Sequence, residues 1–324
     1  MSRQRTRFGT RIPWRSVAVR LAFVACVALP ALGAGGDQGS EPFEAISLLG
    51  DTLRAPALPD SMRSARQAQL LEAQMALEGR EKDIDAWIWV GRRLGYLGRY
   101  REALAVFTEA IQRDPWDARL YRHRGHRYIT IREFGLAVAD LERAAELIQG
   151  REDEIEPDGL PNKHGIPTST LHFNVWYHLG LAYYLQGDFE NARRCYEQCL
   201  SVCRGSPDSM YATVHWLYMT LRRLGRMDEA EAVVAGVDGA MPVLENEEYK
   251  VLVQMYKLHG HVDSYYGPDN GALNSATIGY GVGCWHLTAG HEQRALEVFG
   301  RVLRVTDWVF FGHIAAEADV ARKQ

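Results

Sequence analysis

Seven basic side chains lie within fourteen residues, and their types and spacing could bind an anion. The stretch "RLYRHRGHRYITIR" begins at Arg119 and ends at Arg132. A guanidinium group binds a carboxylate or a phosphate through two parallel N–H donors. The stretch therefore indicates an anion-binding surface. The alternative is a solvated charged face whose charges form local ion pairs.

The chain around this stretch repeats with a period of 34 residues. Gly91 and Gly125 lie 34 positions apart, and so do Ala103 and Ala137. The landmarks of the first unit are Trp87, Gly91, Ala103, Phe107, Ala110 and Pro115. This period and these landmarks resemble the tetratricopeptide repeat. The resemblance covers most of residues 84–309, with units at about 84–117, 118–151, 173–206, 211–244 and 276–309.

The resemblance implies an all-α solenoid. Each unit of this family is a pair of antiparallel helices, and neighbouring pairs stack into a right-handed superhelix. Gly91 and Gly180 are expected where two helices approach closely, and Gly98 in the turn that joins a pair. We also predict an opening helix over residues 61–79 and a closing helix at the C-terminus, so that the solenoid spans residues 59–322.

Two insertions interrupt the period, at about 151–171 and about 245–275. Proline and glycine punctuate the first, which predicts a loop, whereas the second begins with a helix-like segment. Five acidic residues lie between Glu152 and Asp158 in the first insertion. We hypothesise that this loop folds back over the basic groove and partly neutralises it. Deleting residues 152–168 would then change partner affinity; the alternative is a tolerated surface loop.

In this family the first helix of each unit lines a concave surface that holds peptides or partner proteins. A carboxylate clamp, known in the family, needs Lys and then Asn at two of the lining positions. This chain has Ile88 and Arg92 there, so the clamp is not expected. We instead predict a ligand site of basic, amide and aromatic residues: Arg92, Arg119, Arg122, His126, Asn174, Tyr177 and Tyr184.

Three cysteines stand four residues apart in "RRCYEQCLSVCRG". On a helix their Cβ atoms lie farther apart than a disulfide allows, so adjacent pairs are not expected to bridge. Cys199 falls at a small, packed position of the repeat, and free cysteine suits such a position. We expect Cys195 and Cys203 to lie nearer the surface, where metal binding or oxidation could be tested.

The remaining motifs predict neither a metal site nor catalysis. His123 and His126 are three residues apart, and His259 and His261 lie in a loop. Zinc needs three or four ligands, and the arginines beside the first pair oppose a cation. The chain has no Gly-x-Ser-x-Gly elbow, phosphate-binding glycine loop or Cys-x-x-Cys. No catalytic residue and no cofactor are therefore predicted.

The N-terminus has the order of a bacterial export signal. Six arginines precede the twelve-residue apolar run "LAFVACVALPAL", and small residues follow it. We predict a signal peptide over 1–34, cleaved after Gly33 or Ala34, and a linker over 35–58. Removing six of the 37 basic residues leaves 31 against 41 acidic ones, a net charge of −10. An acidic mature chain argues against nucleic-acid binding.

These observations predict an exported interaction scaffold, located in the periplasm or outside the cell. Its basic and aromatic groove would bind an acidic peptide or protein segment, and the mature chain would have no membrane-spanning segment. The alternative function is a hydrolase or a small-anion-binding protein built on the same helical solenoid.

Overall fold

The computed structural model describes residues 43–203, 205–258, 262–266 and 275–324. This part of the chain contains two short strands and thirteen α-helices. The strands are β1 (Phe43–Ile46) and β2 (Thr52–Arg54). The helices are α1 (Asp60–Leu77), α2 (Ile84–Tyr96), α3 (Tyr100–Arg113), α4 (Ala118–Thr130), α5 (Phe134–Leu147), α6 (Leu171–Gln186), α7 (Phe189–Val202), α8 (Pro207–Arg223), α9 (Met227–Ala235), α10 (Glu247–Leu258), α11 (Ala276–Thr288), α12 (Glu292–Val305) and α13 (Phe311–Ala321).

The helices pack in consecutive pairs. The pairs are α2 with α3, α4 with α5, α6 with α7, α8 with α9, and α11 with α12. The first helices of successive pairs also pack side by side, from α2 through α4 and α6 to α8 and α11. The predicted all-α solenoid of helix pairs is confirmed. The predicted signal peptide, His259 and His261 lie outside the described residues.

Each first helix begins after a side chain that caps it. The capping oxygen accepts a hydrogen bond from a backbone N–H of the first turn, which has no partner within the helix. The capping residues are Asp83 for α2, Asp117 for α4, Thr170 for α6, Ser206 for α8 and Ser275 for α11. Local sequence therefore fixes where each lining helix starts.

Small residues permit the close packing within each pair. A Cβ at Gly125 would lie 2.7 Å from Leu141 of α5, and one at Gly180 would lie 2.8 Å from Tyr196 of α7. Neither position can therefore take a larger side chain without moving its neighbour.

No helix in the described part of the chain is long and apolar enough to cross a bilayer.

Each turn that joins the two helices of a pair contains one residue with a positive φ, in the left-handed region. In the second pair this residue is Arg132, with φ of +70°, one period after Gly98. A side chain at such a φ costs roughly 1–2 kcal/mol. Arg132 is held by a buried ion pair with Glu317 of α13, whose Nη2–Oε2 distance is 2.7 Å. The other turns use glycine, at Gly98, Gly187, Gly225 and Gly290.

A hairpin replaces much of the predicted linker. Residues 43–54 form β1 and β2, which pair antiparallel. Arg101 Nε donates to the Glu44 carbonyl oxygen over 2.8 Å, and Trp308 Nε1 donates to that of Arg54 over 2.8 Å. The linker prediction is therefore wrong for these residues, because strands this short carry too few residues to show an alternating pattern.

Candidate functional site

The first insertion crosses the row of first helices. We call residues 152–170 the strap. Its two ends are joined by backbone hydrogen bonds, from Glu156 N to Ser169 O over 3.1 Å and from Leu171 N to Glu154 O over 2.9 Å. This pairing narrows the base of the strap and aims Glu156 between α4 and α6.

Glu156 provides the main contact between the strap and the groove. Its Oε1 lies 3.1 Å from Arg122 Nη2 of α4, and its Oε2 accepts from Asn174 Nδ2 of α6 over 2.9 Å. His123 Nε2 lies 3.6 Å from the same Oε1. The Arg122 and Glu156 side chains are only 9% and 11% exposed, so the charges meet away from water. The strap thus folds back over the groove as hypothesised; its effect on affinity remains a prediction.

The far part of the strap is fixed on both sides. Arg93 Nη1 of α2 donates to the Gly159 carbonyl oxygen over 3.0 Å. Asn162 Nδ2 donates to Glu245 Oε1 over 2.7 Å, and Thr168 Oγ1 donates to Glu245 Oε2 over 3.1 Å. Glu245 belongs to the second insertion, so the two insertions contact each other across the groove.

A cavity of about 170 Å³ remains open beside the strap, and Arg92, Arg119 and Trp89 line it together with Glu154 and Glu156. Arg92 lies 4.8 Å from the Trp89 ring centroid and has no carboxylate partner within the described part of the chain. We call this space the strap cavity.

Arg119 is held in place by two carboxylates. Its Nη1 lies 2.6 Å from Asp85 Oδ1, and its Nη2 lies 2.6 Å from Asp117 Oδ2. The hydrogen bonds with Asp117 are the main reason that the pKa of Arg119 is raised. About a third of the side chain remains exposed. Arg119 therefore presents a positioned charge at the mouth of the cavity.

Two predicted site residues do not line an open groove. Tyr177 is 5% exposed, accepts from Trp216 Nε1 over 2.8 Å and lies 3.0 Å from the Tyr249 hydroxyl. Tyr184 is 1% exposed, and its hydroxyl lies 2.6 Å from that of Tyr280. Tyr249 of α10 and Phe311 of α13 pack against Tyr177, and Tyr280 of α11 packs against Tyr184, so both tyrosines belong to the core.

His126 lies in a cluster of imidazoles rather than beside Arg119. Its ring centroid is 4.5 Å from that of His178 and 5.4 Å from that of Phe311. Burial lowers the pKa of His123, His126 and His178 well below the usual range of histidine, and nearby arginines lower it further. These imidazoles are therefore neutral in the folded protein near pH 7.

The cysteines of α7 are all buried. Cys199 Sγ and Cys203 Sγ each lie 3.2 Å from Thr213 Oγ1, and Cys203 is 1% exposed. The expectation that Cys195 and Cys203 lie near the surface is wrong: both are buried, and Thr213 of α8 lies against Cys203. Burial raises the pKa of Cys195 to about 12. Within the described residues, no group of three or more His, Cys, Asp or Glu side chains could hold a metal ion.

Two segments match family models described as tetratricopeptide repeat, residues 84–115 and 173–205. They are the α2–α3 and α6–α7 pairs. The chain is a tetratricopeptide repeat protein. Repeats of this family form scaffolds for protein–protein interaction, and the strap lies between two such repeats. The Glu156 contact lies on α4 and α6, which are the first helices of their pairs.

Several solved structures are similar to this repeat protein. YrrB, described as a TPR protein with an unusual peptide-binding site, is 17% identical; the match covers 78% of this chain and 98% of that chain, with a TM-score of 0.42. PilW, a type IV pilus biogenesis factor, is 14% identical over 76% and 94% of the two chains, with a TM-score of 0.40. A MamA structure is 16% identical over 63% and 100%, with a TM-score of 0.41.

Removing the Glu156 carboxylate is expected to destabilise the fold. Glu156→Ala leaves Arg122 nearly buried without its anion, and breaking such a pair costs roughly 3 kcal/mol. Urea unfolding followed by circular dichroism measures the loss. Glu152→Ala, at an exposed position of the same strap, is the matched control. Equal unfolding free energies for the two variants would show that the strap does not depend on this pair.

The imidazole cluster predicts a specific pH dependence of stability. Histidine in the unfolded chain protonates near pH 6.5, whereas these buried rings stay neutral at lower pH. The unfolded state therefore binds more protons below about pH 6.5, and stability falls as the pH drops from 7 to 5.5. Each histidine contributes a slope of up to roughly 1.4 kcal/mol per pH unit.

The slope is measured by urea unfolding at several pH values. His126→Gln removes one of the three rings and is expected to flatten the slope. His164→Gln, at an exposed position of the strap, is the control and is expected to retain it. A wild-type stability that is flat from pH 7 to 5.5 would contradict the buried, neutral cluster.

Proposed function

We propose that this repeat protein is an exported scaffold whose groove binds an acidic peptide or protein segment. The observation that carries the proposal is the position of the Glu156 carboxylate, which binds both Arg122 and Asn174. A carboxylate on an extended segment already lies against the first helices there. The strap therefore serves as an internal example of the ligand that this surface accepts.

Two arginines lie next to the Glu156 carboxylate: Arg92, which has no carboxylate partner in the described part of the chain, and Arg119, which is paired with Asp85 and Asp117. Arg92 and Arg119 line the strap cavity, and Trp89 adds an aromatic wall. Arginine suits this role because its planar fork binds carboxylates in a fixed orientation and can stack on an aromatic ring. Without the predicted signal peptide the chain carries a net charge of −10, and Asp85, Glu154 and Glu156 line the strap cavity together with the two arginines.

In the described part of the chain, the strap leaves two buried polar atoms near the Glu156 contact without a hydrogen-bond partner. Arg122 Nε and Asp158 Oδ2 are both buried, and neither has a hydrogen-bond partner among the described residues. Burial also raises the pKa of Asp158. An unsatisfied buried polar atom costs free energy, so the bound strap is less stable than a fully satisfied one. A better-matched acidic segment would therefore compete with it.

The proposal predicts that removing the strap increases affinity for its own sequence in trans. The probe is a fluorescent peptide containing "EDEIEPDG", with a second peptide in which amides replace the acids. By fluorescence anisotropy we expect the protein lacking residues 152–168 to bind the acidic peptide about tenfold more tightly than the intact chain. The amide peptide is expected to bind weakly to both.

Charge reversal identifies the surface that is used. Arg92→Glu combined with Arg119→Glu is expected to weaken binding of the acidic peptide at least about tenfold. The matched control combines Arg113→Glu with Arg194→Glu, which reverses two charges on the second helices α3 and α7. Equal affinity for both double variants, or equal binding of the amide peptide, would refute an acidic ligand at this groove.

Export is a separate part of the proposal and has its own test. N-terminal sequencing of the protein from a periplasmic fraction is expected to begin after Gly33 or Ala34. Protein recovered with Met1 intact, and found in the cytoplasm, would contradict export. The peptide experiment does not depend on this outcome, since it uses purified protein.

A further inference from the structure

Arg127 differs from the other arginines of the basic stretch. In the residues that the structure describes, its guanidinium has no hydrogen bond and no ion pair with a carboxylate, although Arg127 lies on α4 near the others. The other four each have a partner: Arg119 with Asp117, Arg122 with Glu156, Arg124 with Asp140 and Arg132 with Glu317. The Arg127 guanidinium therefore has donors to offer.

Two neighbours position the Arg127 guanidinium. Its Cζ lies 5.5 Å from the ring centroid of Tyr100. On the other side it packs on the backbone of α2 at Gly95, where an added Cβ would lie 2.9 Å from Nη1. Burial lowers the pKa of Arg127, and the positive charge of Arg92 lowers it further. A buried positive charge without a partner gains more free energy from a bound anion than a solvated or already paired charge does.

The guanidinium opens into a second cavity of about 360 Å³, which the strap residue Leu160 also lines. Its walls come from the ends of α2 and α4, from α1, and from the segment before α13. Apolar surface comes from Tyr96, Leu160 and Phe310, and the polar groups are those of Arg66, His126, Arg127, Thr130 and Asp307.

The charges of the walls favour a single negative charge. Arg66 and Arg127 contribute two positive charges, and Asp307 contributes one negative charge. Arg66 already donates to the Tyr96 carbonyl oxygen with Nη1, which leaves its other donors free to bind. A monocarboxylate would balance the remaining charge, whereas a phosphate dianion would leave an excess of negative charge next to Asp307.

We propose that this second cavity binds a monocarboxylate that carries an apolar or aromatic group. The carboxylate would accept from Arg127 and Arg66, and the apolar group would lie against Tyr96 and Phe310. Such a ligand is either a free small acid or the C-terminal residue of a peptide. The proposal does not rest on the strap cavity, because none of the side chains that would bind the ligand contributes to that cavity.

Isothermal titration calorimetry of the full mature chain tests the proposal. The probe is N-acetyl-L-phenylalanine, compared with its uncharged amide, and a second arm uses a Gly-Gly-Gly-Phe peptide with a free or an amidated C-terminus. We expect at least one free acid to bind about tenfold more tightly than its amide. The arm with the tighter binding tells a free acid from a peptide terminus.

Substitutions then locate the binding. Arg127→Gln is expected to lose about tenfold in affinity for the acid, and the control Arg194→Gln on α7 is expected to keep it. Arg66→Gln is the second variant if circular dichroism shows that Arg127→Gln unfolds. The proposal is overturned if neither acid binds, if acid and amide bind equally, or if the folded variants bind as the wild type does.

Discussion

A buried guanidinium needs an anion, and the arrangement of this protein follows from that requirement. The repeat places Arg122 on a lining helix at a depth where its charge is poorly solvated. Leaving one partner of such a pair alone costs several kcal/mol, more than most single contacts contribute. Glu156 of the strap supplies the anion, and Asn174 binds the second oxygen of the same carboxylate. The strap therefore lies where the arginine needs it.

The need of a buried guanidinium for an anion also fixes the position of the last helix, α13. Arg132 and Arg223 both have carboxylate partners on α13, namely Glu317 and Asp319. These pairs hold the closing helix inside the concave face, over helices that would otherwise be open to a partner. Among the cavities left between the described residues are the strap cavity and the cavity beside Arg127.

Much of the fold can be predicted from the sequence, because the repeat is a local pattern. Glycine and alanine at a 34-residue spacing mark close helix contacts, and capping side chains mark the helix starts. The arginines of the groove follow from the register, and the acidic loop directly after them indicated a neutralising contact. The structure brings together four of the seven predicted site residues around the strap: Arg92, Arg119, Arg122 and Asn174.

The remaining site residues depend on contacts between distant segments, which no local pattern encodes. Tyr177 and Tyr184 occupy lining positions, but α10, α11 and α13, which come from residues far along the chain, pack against them and bury them. His126 lies in an imidazole cluster, because His178 and Phe311 from distant segments pack against it. Trp89 and Arg93 were missed, although they lie one position beyond the predicted lining residues Ile88 and Arg92. Trp89 and Arg93 are four residues apart on α2 and therefore lie on the same face of the helix, and this spacing was the signal that could have identified them from the sequence.

A double-mutant cycle between Arg122 and Glu156 tests most directly whether the groove recognises a carboxylate. Unfolding free energies are measured for the wild type, Arg122→Met, Glu156→Gln and the double variant. The cycle isolates the interaction of the two side chains from their separate effects on the fold. We predict a coupling energy of about 2 kcal/mol or more, as expected for a desolvated charge pair. Additive effects, with a coupling near zero, would contradict a carboxylate-binding groove.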